Sequence, residues 1–197
     1  MKIVCLDMEG VLTPEIWIRV AERTGIRELR LTTRDEPDYD QLMRRRLSLL
    51  RKRGITLRRI QGIIASMRPL AGAGGFLSRL RGKVPVAVLS DTYYEFAMPL
   101  MKKLGYPVLF CNGLSTDRRG FIADYHLRQP NGKREAVLAF KRMGFRVAAA
   151  GDSYNDLAML RAADRGVLFN PPPKIAEECR SLRTTDSYPG LLKELLR

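Results

Sequence analysis

Three short stretches of this 197-residue chain carry residue types that can do chemistry at spacings that bring them together. The first, CLDMEGVLTPE at 5–15, places Asp7, Glu9 and Glu15 within nine positions, directly after the apolar run KIVCL. A lone strand-end acid often only caps a loop. Asp7 has company, however. LSD at 89–91 ends a second apolar run with Ser90 and Asp91, and AAGDSYND at 149–156 ends another with Asp152, Asn155 and Asp156. In an open α/β sheet the carboxyl ends of the strands line one edge, where ligands bind. Asp7, Ser90 and Asp152 should therefore converge. Clustered carboxylates repel one another unless a cation lies among them, and an oxygen-only donor set with few ligands suits Mg²⁺. A metal-assisted phosphate site explains the three stretches better than three separate caps.

A second kind of candidate is a charge in apolar company. On a helix, the neighbours of Arg46 three and four positions away are Leu42, Met43, Leu49 and Leu50, so its guanidinium points into an apolar face. Arg44 and Arg45 have Asp40, Gln41 and Ser48 among theirs and read as solvated. A buried guanidinium needs an anionic partner, and a ligand carboxylate matches its two-pronged geometry. An internal acid, or snorkelling to water, are the alternatives. Lys133, just before an amphipathic run, reads by itself as either a surface lysine or a site cation.

Composition narrows the classes. The net charge of +14 invites a nucleic-acid reading. The arginines are spread through nearly every segment, are densest in RRRLSLLRKRG at 44–54, and lack the interleaved aromatics that stack bases. A solvated surface comes first, attraction of a small anionic substrate second, and nucleic acid is not favoured. Cys5, Cys111 and Cys179 form no CxxC pair, and His126 is the single histidine, which argues against a disulfide framework, a zinc site and a Ser-His-Asp mechanism. No run approaches the ~20 apolar residues of a membrane span, and MKIVCLD reaches an acid too early for a signal peptide. A cytoplasmic protein is expected. GAGG at 72–75 lacks the context of a nucleotide-binding loop and reads as a turn into a helix.

The elements that must position these residues alternate between strand-like and helix-like. Strands are predicted at 2–6, 84–90, 107–110, 146–151 and 166–169, with Pro85 at a strand start. Helices are predicted at 93–104, at 132–143 with Ala136, Ala139, Phe140 and Met143 on one face, at 154–163 and at the C-terminus; a hairpin is predicted within 111–130. This is an α/β, doubly wound, mostly parallel Rossmann-like sheet. Nearly 80 residues separate the first two strands, too many for one crossover, so an insertion is required. It reads as helical: Pro14 at a helix start with Trp17, Val20 and Ala21 on one face, and Thr56 capping a helix that aligns Leu57, Ile60, Ile64 and Met67. A core of 1–13 and 71–197 with a small helical cap at 14–70 is expected.

With DMEGV, Ser90, Lys133 and GDSYND in place, the chain resembles the haloacid dehalogenase (HAD) superfamily over almost its whole length. The cap after the first strand and MRRRLSLL resemble its phosphoserine phosphatase branch. Most members of that branch carry Asp-x-Asp followed by Ser-Thr, and Ser-Gly-Gly in the second motif. Glu9, Gly10 and the SDT at 90–92 depart from this and resemble the bacterial bifunctional phosphoserine phosphatase/homoserine phosphotransferase. The resemblance implies Asp7 as nucleophile and Glu9 as acid and base. It implies Mg²⁺ held by Asp7, Asp152 and the Glu9 carbonyl, with Asp156 behind them. Ser90 and Lys133 would hold the phosphoryl group, Arg46 the substrate carboxylate and Glu15 its ammonium. Asp91, by its backbone, and Asn155 would add weaker contacts, and Tyr39 would line the pocket. The implied substrate is O-phosphoserine, with homoserine as a possible acceptor, in serine biosynthesis. Another small phosphate ester, or nucleic-acid binding on the same fold without catalysis, remain alternatives.

Overall fold

The computed structural model describes residues 1–197 except 33, 34 and 37, so those three positions of the expected cap lie outside the described residues. The first strand, β1 (Lys2–Leu6), is the centre of a seven-stranded sheet. Beside it run β2 (Val86–Tyr93) and β5 (Arg146–Gly151), both parallel to it. Beyond β2 lie β3 (Val108–Thr116) and the antiparallel β4 (Ile122–His126); beyond β5 lie β6 (Arg165–Phe169) and β7 (Arg183–Thr185). The chain thus winds outward in one direction, returns to β5 and winds outward in the other. This is the doubly wound α/β topology that the alternating pattern predicts, with β1 at the switch point where such sheets bind ligands.

Burial is nearly continuous along the central strands because both faces are covered, and successive residues join opposite cores. Val4 and Leu6 of β1 join Ala148 and Ala150 of β5 in one core, and Ile3 and Cys5 join Val147 and Ala149 in the other. The first core also holds the apolar stripes of α1 (Ile16–Thr24), α2 (Tyr39–Lys52), α3 (Leu57–Ala65), α4 (Ala73–Arg81), α5 (Tyr94–Lys103) and α9 (Tyr188–Leu196). The second packs α6 (Gly132–Arg142), α7 (Leu157–Ala162) and α8 (Pro173–Glu178). Helices α1 to α3 and a 3-10 turn at Arg27–Arg30 fall between β1 and α4, inside the stretch read as an insertion. Among the described residues no helix is long and apolar enough to cross a membrane.

Local signals place the helices. Asp38 caps α2 by accepting from the Gln41 amide at 3.1 Å, and Thr56 caps α3. Gly72 precedes α4 at φ 86°, which explains the GAGG turn. Several details differ from expectation. Pro14 lies two residues ahead of α1, where Glu15 is the cap, and Pro85 lies one residue ahead of β2, its carbonyl accepting from Val4. Strand β2 stays extended through Tyr93. The buried face of α6 is Lys133, Ala136 and Val137, whereas Met143 ends the helix 62% exposed. The PPP run opens α8, and three-residue β7 is too short for a periodic signal.

Candidate active site

Asp7 is the first residue past β1, and its amide donates to the Ala150 carbonyl at 2.8 Å, extending the β1–β5 ladder. Asp152 is the first residue past β5, so adjacent strands put the two carboxylates side by side. Between them the chain turns at Gly10, φ 81°, where any β-carbon would overlap the Asp152 carboxylate. A side chain there would cost left-handed strain and would push away a site acid.

Asp156 lies fully buried beneath this pair. Its Oδ2 accepts from the Asp152 amide (3.0 Å), the Ser153 amide (3.1 Å) and the Ser153 hydroxyl (3.2 Å). Its Oδ1 accepts from Lys133 Nζ at 2.8 Å. Lys133, in the first turn of α6, also lies 2.8 Å from Asp7 Oδ1 and 3.1 Å from Asp91 Oδ2. One ammonium therefore joins β1, β2 and the loop after β5.

The electrostatics follow from crowding. Burial, then Asp156, raises the Asp7 carboxyl well above its ordinary range; burial, then Asp156 and Glu15, lifts Asp152 to about 7. Burial opposes the charge on Lys133, but Asp7, Asp156 and Asp91 outweigh it and hold the ammonium well above its usual value. Glu9 accepts from the Ile16 amide at the start of α1 at 2.8 Å, and burial together with Glu15 pushes it up to about 8. Glu9 is thus largely protonated near neutrality, with one oxygen anchored.

Oxygens of Asp7, Asp152 and Asp156 come within 4.8 Å of one another. Both Asp156 oxygens already accept from protein donors, so Asp7 and Asp152 are the acids with capacity left. Two hard carboxylates, each penalised for ionising in a buried setting, fit a small oxygen-seeking divalent cation such as Mg²⁺.

Above them opens a cavity of about 640 Å³. Of the residues singled out from sequence, Asp7, Glu9, Glu15, Tyr39, Arg46, Ser90, Asp91, Lys133, Asp152 and Asn155 line it, and Asp156 supports it from below. Arg46 on α2 is buried, as its helical neighbours predicted. Its guanidinium stacks over Trp17 at 4.4 Å from the ring centroid and donates to neutral acceptors, the Leu31 carbonyl at 2.6 Å and the Met43 sulfur at 3.6 Å. Arg46 Nε is the one buried side-chain nitrogen or oxygen without a hydrogen-bond partner among the described residues. Sequence reasoning missed Tyr93, whose hydroxyl lies 2.7 Å from that of Tyr39 on the cavity wall, as well as Arg30, Thr32 and Thr92. The only signal for Tyr93 and Thr92 was their position just beyond Ser90.

A doubly wound sheet with a buried acid after the first strand, a lysine beside it and acids after a later strand is an arrangement suited to phosphate-handling α/β hydrolases. Comparison with known proteins makes the class specific: residues 1–164 match the haloacid dehalogenase-like hydrolase family, and the chain belongs to it. Over all 197 residues it is 49% identical to a phosphoserine phosphatase of Pseudomonas syringae pv. tomato, of which it covers 83%. It is also 49% identical to phosphoserine phosphatase ThrH of Pseudomonas aeruginosa, of which it covers 96%. Among solved structures, a phospho-aspartyl intermediate analogue of phosphoserine phosphatase superposes with a TM-score of 0.79 at 21% identity, covering 98% of this chain and 97% of that one. An apo phosphoserine phosphatase gives 0.80 at 22%, covering 98% of both chains.

The buried arrangement predicts the effect of Asp156→Asn. An amide has one accepting oxygen, so either Lys133 or the three donors of the 152–153 loop would face an NH₂ group. Unfolding by urea should show a loss of about 3 kcal/mol, the scale of a broken buried ion pair. An unchanged midpoint would show that the carboxylate does not anchor this loop.

Proposed function

We propose that this enzyme is a Mg²⁺-dependent phosphatase of O-phosphoserine that works through an aspartyl phosphate on Asp7 and also passes the phosphoryl group to homoserine. The observation that carries the reading is the two-ended cavity: carboxylates and Lys133 at its base, and a buried guanidinium with a free Nε in its wall. The names of the two Pseudomonas relatives support the substrate. Residues 1–13 and 71–197 would be the catalytic core and 14–70 the cap that contributes Glu15 and Arg46. A cytoplasmic role in serine biosynthesis accords with three cysteines that are all unpaired.

Asp7, Asp152 and the Glu9 carbonyl would hold the Mg²⁺, which when bound offsets the repulsion between carboxylate and phosphate. Lys133 occupies Oδ1 of Asp7, so the other oxygen would attack phosphorus in line as the bond to the serine oxygen breaks. Glu9 would give its proton to the leaving alkoxide, work typically worth about 10²–10⁴-fold. Ser90 and Lys133 would hold the non-bridging oxygens, with the Asp91 backbone and Asn155 adding contacts. Glu15 would face the substrate ammonium, and Arg46 its carboxylate. In the second half Glu9 would take a proton from water, or from the homoserine hydroxyl, as that oxygen attacks phosphorus and releases Asp7. Homoserine carries the same two charged groups as serine with one more methylene, so the same anchors would orient it, and orientation offsets much of water's concentration advantage.

Four experiments test this reading. Asp7→Asn should fold normally yet release no phosphate from phosphoserine, and removing divalent cations from the unaltered enzyme with EDTA should stop release until Mg²⁺ is restored; substantial turnover in either case refutes the mechanism. Arg46→Ala should weaken use of phosphoserine by about 1.5–3 kcal/mol, the worth of a charge-assisted contact, while sparing p-nitrophenyl phosphate; equal losses on both would make Arg46 structural. Finally, phosphorus NMR of enzyme, Mg²⁺, phosphoserine and homoserine should show phosphohomoserine, whereas inorganic phosphate alone at saturating homoserine would leave a plain phosphatase.

A further inference from the structure

Apart from Arg46, the densest basic run in the sequence, 44–54, plays no part in the chemistry above. In the fold it meets a second basic segment. The Leu57 amide at the start of α3 donates to the Gly120 carbonyl at the tip of the β3–β4 hairpin at 3.0 Å, and Arg51 pairs with Asp117 at 2.8 Å. The guanidinium groups of Arg51 and Arg119 lie over the Phe121 ring, at 5.3 and 5.5 Å from its centroid. Arg51, Lys52, Arg53, Arg58, Arg59, Arg118 and Arg119 are all exposed, and Asp117 is the one acid in residues 50–60 and 117–121.

This clustering opposes stability. Arg51 and Lys52 in the last turn of α2 suit that helix's negative end, but Arg58 and Arg59 follow the Thr56 cap in the first turn of α3, which has no acid. Cations there oppose the helix dipole, and five further exposed cations lie on the two segments that meet at this corner. A bound polyanion would remove both penalties. The patch also indicates which polyanion. None of the large apolar side chains exposed on the protein lies in 50–60 or 117–121, so there is nothing to insert into a bilayer. Phe121 lies under two guanidinium groups, so the patch presents cationic rather than apolar surface, the complement of a phosphate backbone.

We infer that the α2–α3 corner and the β3–β4 hairpin tip form a surface that binds the phosphodiester backbone of nucleic acid without regard to sequence. The surface is separate from the catalytic cavity. The test is fluorescence anisotropy of a labelled duplex DNA and a labelled single-stranded RNA with the full chain across a salt series. Neutralising about five phosphates gives a slope of about −4.5 in log affinity against log salt on duplex, a several-hundredfold loss between about 50 and about 200 mM. The triple variant Arg58→Glu, Arg59→Glu, Arg118→Glu should lose at least about 10-fold in affinity and flatten the slope. The variant Arg142→Glu, Arg180→Glu, Arg183→Glu, with the same net charge, should bind nearly as the unaltered chain does. Phosphatase turnover should be unchanged in both. The patch variant should also melt about 2–4 °C higher, because acids replace cations at the α3 N-terminus. Equal losses in both variants would reduce the effect to net charge and overturn the proposal. So would binding of phosphatidylserine vesicles in preference to either nucleic acid, or no binding by the unaltered chain.

Discussion

A single buried ammonium sets most of what surrounds it. Lys133 Nζ lies within 3.1 Å of Asp7, Asp91 and Asp156, three carboxylates delivered by three different segments of the chain. Without that cation, the fully buried Asp156 would carry an uncompensated charge, a cost of several kcal/mol. With it, Asp156 can accept from the 152–153 backbone and fix the loop that presents Asp152. The strand order serves the same end, because only a β1 flanked by β2 and β5 brings the three acids within reach of one helix N-terminus. Gly10 and Gly151 complete the arrangement, since a β-carbon at either would overlap the carboxylate of Asp152 or Asp156.

The opposite wall of the cavity works by a different logic. Lys133 is over-supplied with acids, whereas Arg46 is buried with a sulfur, a carbonyl and an indole face around it and one N–H unsatisfied. Burial pulls its pKa down, with Tyr39, Tyr93, Glu9 and Glu15 pulling weakly the other way. A guanidinium in that setting is stabilised most by an anion that enters, binds and leaves. The cations of the cavity thus differ: Lys133 has its anionic partners within the protein, while Arg46 has neutral acceptors only.

How legible this was depended on the range of the interactions. Asp7, Ser90 and Asp152 could be read because a strand end needs only a few residues to be recognised and sheet topology then brings strand ends together. Arg46 could be read because helix neighbours three and four apart are fixed by geometry. Tyr93 could not: after Ser90 the sequence reads as the start of α5, and only pairing with β3, where Tyr93 lies opposite Asn112, keeps it extended and on the cavity wall. Arg30 and Thr32 sit in and just after a short 3-10 turn without periodicity. The α6 face was misjudged at Met143 because the helix ends one residue earlier and the reading took Lys133 as lying outside the buried stripe.

Charge shows the same limit from the other side. In sequence the +14 is spread along the chain, and spread charge reads as solvation. Folding sorts it by adding contacts that sequence neighbours do not have: Arg51 and Arg119 share the Phe121 ring, and the hairpin tip hydrogen-bonds to the start of α3. Buried charges such as Lys133 are held by partners within the protein that offset the desolvation cost. Exposed cations gathered against one another and against a helix dipole are not explained in that way. Where folding concentrates like charge with a single acid to offset it, the compensating charge must come from solution, and in that setting it comes from small counterions or from a polyanion that displaces them.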